Sequence, residues 1–89
     1  MQVIDNWAIV SGSVAEIRQE VGHRILVVLV SDAEDFEDYP NLFTWAKGQL
    51  LTIEHPLDIV PPSVGDTIRW RLQIISPGNA VPHPSSLAS

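Results

Sequence analysis

The chain has no cysteine, so neither a disulfide framework nor a thiolate zinc site can compensate for a small core, and nothing points to an oxidising compartment. Basic residues are scarce as well: five Lys and Arg stand against eleven Asp and Glu, a formal net charge of −6. A polyanion such as DNA is repelled by such a chain unless the few positive charges gather on one face. Long apolar stretches are missing. The longest run covers residues 25–30, far short of the roughly 20 residues a membrane helix needs, and the N-terminus carries no basic region leading into an apolar one. These absences predict a soluble protein of the cytoplasm with no membrane partner. His23, His55 and His83 are far apart and form no H-x-H or H-E-x-x-H pattern, so no metal site is expected. There is no G-x-S-x-G motif, no paired-carboxylate cleft and no phosphate-binding glycine loop, and the chain is too short for a deep pocket. The expectation is a protein that is not an enzyme and takes no cofactor.

What is present is a folding composition: 45% hydrophobic against 18% charged residues in a chain of 89, enough for one core but not two. Residues 7–17 are rich in β-branched side chains around Gly12, which suits a strand that bends or is closely approached by another backbone. Gly22 marks a turn over residues 19–23, after which a second strand over 24–31 returns as an antiparallel hairpin. That strand is apolar on both faces, so one face fills the core while a loop, the tail or a partner chain covers the other. Residues 32–38 place five carboxylates in seven positions without a base, the pattern of an exposed loop.

Residues 39–48 fit two readings equally, a short helix opened by Pro40 and closed by Gly48, or a strand carrying Leu42, Phe43 and Trp45. Residues 49–55 read as a strand with Leu51 and Ile53 inward and Pro56 at its end. A linker with Pro61 and Pro62 and a Gly65-Asp66 turn follow. Over residues 67–75, Ile68, Trp70, Leu72 and Ile74 alternate with polar side chains, the period-two pattern of a half-buried strand. Residues 76–89 hold three prolines, four serines and no charge, and read as a flexible tail.

This organisation resembles small oligonucleotide/oligosaccharide-binding (OB) barrels. The resemblance is carried by Val10-Ser11-Gly12-Ser13-Val14, by the run from Ile25 to Val30, and by Val64-Gly65-Asp66-Thr67-Ile68, similar to the G-D-x-[VI] entry into the last strand of such barrels. It departs from them over residues 57–63, where a proline-rich connection stands in place of a helix. The expected fold is all-β: a five-stranded OB-like barrel over residues 1–75 with at most one short helix, followed by the tail over 76–89.

Arg69 and Arg71, two apart on a strand, project from one face opposite Trp70 and offer paired guanidinium groups to a phosphate or carboxylate. Pairing with Glu54 or Glu16 across the sheet is the competing expectation. Trp45 beside Lys47 is the candidate stacking group for a single-stranded nucleic acid. The acidic run from Asp32 fails the calcium-loop pattern, with Glu37 where glycine and Phe43 where glutamate is required. Leu26, Val28, Val30, Leu42 and Phe43 are the candidate interface, because an apolar patch with a charged rim suits a partner surface or a homodimer. The functional expectation is a non-catalytic binding or accessory module working through protein contact or self-association. The alternative is a single-stranded nucleic-acid binder, which the net charge disfavours.

Overall fold

Alternation of β-branched and small residues drives the first half of the chain into one long antiparallel hairpin. In the computed structural model, which describes residues 5–87, β1 (Ala8–Glu20) and β2 (His23–Asp35) are each 13 residues long. Val21 and Gly22 form the two-residue turn, with Gly22 at a φ of 75° that favours glycine. The ladder slips at Ser11/Gly12 and at Val14/Glu16. Such bulges bend and twist a strand, so that β1 pairs with β2 along its length and with β4 (Thr67–Ser76) over residues 8–13. Gly12 is needed at the bend, because a Cβ there would lie 2.4 Å from the Leu29 carbonyl oxygen and 2.7 Å from the Val28 side chain.

β3 (Leu50–His55) pairs with β2, and β5 (Asn79–Pro82) runs parallel to β3 and antiparallel to β4. The result is a closed barrel in the order β1-β2-β3-β5-β4, followed by a single helical turn, α1 (Pro84–Leu87). The all-β, five-stranded barrel with one short helix is therefore the fold of this chain. Among the described residues no helix is long and apolar enough to cross a membrane.

The segment read as a tail is largely structural. Ser76 ends β4, and β5 closes the barrel with Ala80 fully buried between Ile53 and Ile74 in the ladders. Its prolines sit where no backbone donor is required: Pro77 in the turn, Pro82 at the strand end and Pro84 at the first position of α1. The outer ends of the two expected units, residues 1–4 and 88–89, lie outside the described residues.

The acidic run also departs from expectation. Asp32, Glu34 and Asp35 extend β2 rather than forming a loop, because their backbones complete the ladder to Ser11, Ile9 and Ala8 while their carboxylates stay in water. Residues 39–48 are neither helix nor strand but a series of turns. Asn41 organises them: its Oδ1 accepts from the Phe43 N–H at 2.9 Å, and its Nδ2 donates to the Ala33 carbonyl at 3.3 Å and to Asp35 at 3.0 Å. The loop thereby drops Phe43 and Ala46 into the core, both completely buried.

The inward set of β4 is as expected, with Ile68 and Leu72 buried and Trp70 and Ile74 half-buried against the core. Leu51 and Ile53 are fully buried.

Candidate binding surfaces

The register of β2 decides which of its two apolar faces is inside. Ile17 pairs with Leu26 and Val14 with Val28, while Leu26 faces Ile53 and Val28 faces Leu51 on the other side. Leu26, Val28 and Val30 are therefore core, and they are no interface. Phe43 is likewise interior, carried inward by the Asn41 turn, while Leu42 next to it remains exposed. The outer face of β2 carries Ile25, Val27 and Leu29.

Leu29 and Leu50 oppose each other directly across β2 and β3 and are 45% and 60% exposed. Next to them Val27, between Glu16 of β1 and Thr52 of β3, is only 8% exposed, and the half-buried Ile25 lies between Arg18 and Glu54. An apolar stripe thus runs down the outside of β2 onto β3. Its rim is charged: Arg18 donates to Glu16 at 3.0 Å, and His23 lies 3.2 Å from Glu54. The hydrogen bond and charge of Arg18 hold the Glu16 carboxyl below its ordinary range, and the hydrogen bond and charge of Glu16 in turn raise the Arg18 guanidinium. These carboxylates are the two proposed for the arginines of β4, and they are engaged elsewhere.

Arg69 pairs instead with Glu34 at 3.1 Å, reaching across β1, where Ser11 faces Arg69 and Ile9 faces Glu34. Arg71 has a different environment. Its Nη2 lies 2.7 Å from both His83 Nδ1 and Ser85 Oγ, and its backbone N–H donates to Ser86 Oγ at 3.0 Å. The guanidinium lies 4.5 Å from the centre of the Phe36 ring and 5.8 Å from Trp7, and Trp7 meets His83 edge-on at 5.2 Å. Arg71 thus clasps the C-terminal segment and the end of β2 to the barrel wall. Phe36, Trp7 and His83 were not legible as its partners, since none lies near Arg71 in the chain.

Trp45 donates its indole N–H to the Leu42 carbonyl at 2.7 Å and is half-exposed. Among the described residues no hydrogen bond, ion pair or ring contact joins Trp45 or Lys47 to Arg69 or Arg71. Arg69 and Arg71 lie on β4, and Trp45 and Lys47 in the turns between β2 and β3. No cluster of three or more metal-ligating side chains occurs among the described residues. Compared with protein-family models, with curated proteins and with solved structures, the chain matches none, so its reading rests on its own residues.

Proposed function

We propose that the chain is an OB-type barrel serving as a non-catalytic contact module, and that its contact is with a second copy of itself through the outer face of β2 and β3. The order β1-β2-β3-β5-β4, with β1 shared between β2 and β4 and one parallel pairing, supports the OB assignment. The face of strands 2 and 3 is the one such barrels use for binding.

The observation that carries the reading is the exposed Leu29–Leu50 pair at the end of the β2–β3 ladder on that face. Contiguous apolar surface within a charged rim is favourable to bury against another protein. The rim carries both signs, Arg18 beside the carboxylates Glu16 and Glu54. Two copies related by a two-fold axis can therefore set unlike charges against each other, and the carboxylates of residues 32–38, of which Glu34 pairs with Arg69, lie at and beyond the C-terminal end of β2. A single-stranded nucleic acid suits the molecule less well. Arg69 is neutralised by Glu34, Arg71 is enclosed by its own aromatic and hydroxyl neighbours, and Arg24 is bonded to loop carbonyls.

Sedimentation at micromolar concentration is expected to give about twice the 9.8 kDa chain mass. Leu29→Lys and Leu50→Lys should each yield monomers that stay folded, because both side chains are exposed on the single chain, with a melting point that no longer depends on protein concentration. A wild-type chain that stays monomeric at millimolar concentration overturns the reading. Salt-sensitive binding of a single-stranded oligonucleotide that survives Leu50→Lys would replace it with the nucleic-acid alternative.

A further inference from the structure

Residues 83–87 lie against β4 as a short strap, and none of the five is buried. Arg71 anchors it. The Arg71 carbonyl accepts from the His83 N–H at 2.8 Å, and the Arg71 N–H donates to Ser86 Oγ at 3.0 Å. The guanidinium Nη2 donates to His83 Nδ1 and to Ser85 Oγ, 2.7 Å from each. Two half-buried aromatic rings complete the contact: Trp7 meets the His83 ring edge-on at 5.2 Å, and Phe36 has the guanidinium 4.5 Å from its centre.

These partners fix the protonation of His83. A guanidinium and a backbone N–H can only donate, and both converge on Nδ1, Arg71 Nη2 at 2.7 Å and the Ser85 N–H at 3.1 Å. Ser85 Oγ accepts from Arg71 and has its own proton free for Nδ1, 2.7 Å away. Nδ1 is therefore the unprotonated nitrogen, the ring proton sits on Nε2, and the ring is neutral. A second proton can enter only at Nδ1. There it turns an acceptor into a donor that faces two donors, and it sets an imidazolium against a guanidinium at hydrogen-bond distance.

The surroundings supply no counter-charge. Among the described residues neither His83 nor Arg71 has a carboxylate within ion-pair distance. Asp5, two residues before Trp7, is bonded to Gln73 at 3.4 Å, Glu34 to Arg69 at 3.1 Å and Asp35 to Asn41 at 3.0 Å. On its other side the strap borders a groove that Ser86 and Leu87 share with His55, Asp66 and Arg69, where both signs of charge are present.

We propose that residues 83–87 are a pH-sensitive strap, closed while His83 is neutral and released when Nδ1 takes up a proton. Release frees the Arg71 guanidinium beside Trp7 and Phe36, opening on the β1–β4 wall a cation-aromatic surface that the closed strap covers. β5 keeps its ladders to β3 and β4, so the barrel stays shut. The device is apart from the outer face of β2 and β3 and does not rest on self-association.

NMR on the full chain tests it. At about pH 8 the backbone heteronuclear NOE of the strap should match that of β4, and the Trp7 and His83 rings should show a mutual NOE. Toward about pH 5, across the interval in which histidine gains its second proton, the strap values should fall to those of a mobile chain and the ring contact should vanish. Residues 79–81 should remain as rigid as β4. The Nδ1 resonance of His83 should move to its protonated position over the same pH values as the strap signals. His83→Asn is the control, because its side-chain oxygen offers an acceptor near the place of Nδ1 and does not titrate. Its strap should stay ordered at pH 5, and since His23 and His55 remain in that variant, the release is then assigned to His83. A wild-type strap equally ordered at both pH values, or mobile at both, overturns the proposal, as does release in His83→Asn that follows the wild-type curve. So does strap release that is out of step with protonation of Nδ1, a comparison made on the wild type and independent of the variant.

Discussion

Two loops of similar length close the two ends of this barrel, and they do so in opposite ways. Residues 36–49 turn inward: Asn41 ties the loop to Ala33 and Asp35, Gly48 donates to the Val30 carbonyl, and Phe43 and Ala46 disappear into the core. Residues 56–66 stay on top. Pro56, Pro61 and Pro62 fix the chain in extended shapes that cannot dive into the barrel, and Val60 is left 89% exposed. One loop adds Phe43 and Ala46 to the core, while the other leaves a groove over His55 and Trp70. The contrast separates the work of the two ends, with packing concentrated at one and an accessible, partly polar concavity at the other.

The C-terminal segment borders the open end, and its removal is the severest test of this picture. Deleting residues 77–89 takes β5 from between β3 and β4, opening the barrel beside Ile53, Leu72 and Ile74. Cooperative thermal unfolding should be lost, since the whole stability of a domain is only about 5–15 kcal/mol. Deleting only residues 83–89 removes α1 and the His83 and Ser85 partners of Arg71, and should lower the melting point by several degrees with the barrel intact. An unchanged melt after the larger deletion would mean that β5 does not hold the barrel closed.

The difference between those two deletions marks what could be read from the chain and what could not. β4 was legible because ten residues allow the alternation of Ile68, Trp70, Leu72 and Ile74 to show. β5 has four residues, the last of them a proline, too few for a period, and its justification lies in partners on β3 that are distant in sequence. The barrel class followed from the hairpin, Gly12 and the Gly65-Asp66 turn, all local signals. The facing of β2 did not, because a strand apolar on both sides hides its parity, and the bulges of β1 set the register. For the same reason the exposed stripe falls on Leu29 rather than on Leu26, Val28 or Val30. His55 gave no sequence signal at all; its burial, with one ring nitrogen unsatisfied, is something that only packing creates.

Substitution within the two loops sharpens the comparison directly. Phe43→Ala empties a fully buried aromatic site and should cost about 3–5 kcal/mol. Val60→Ala, on the opposite loop, should change stability by no more than about 0.5 kcal/mol, because the side chain already stands in water. Urea titrations of the two variants beside the wild type give both values. Similar losses for the pair would mean that the proline-rich loop contributes to the core as the other does.

The smallest effect expected is the pH dependence of the open end. Burial lowers the pKa of His55 in the folded chain, with Arg24 contributing, so in this range the unfolded chain binds the proton more readily. The associated stability is therefore complete above the ordinary histidine pKa of about 6.5 and declines as pH falls through that value toward the lower folded one. The exposed Glu16–Arg18 pair works in a different window: its lowered carboxyl pKa matters only below the ordinary carboxylate range. Urea midpoints measured between about pH 7.5 and pH 5 isolate the histidine contribution from that pair. The wild-type midpoint should decrease across this interval, and His55→Leu should flatten the curve. Equal slopes in the two proteins would show that the neutral, buried imidazole is not what distinguishes this end of the barrel in mild acid.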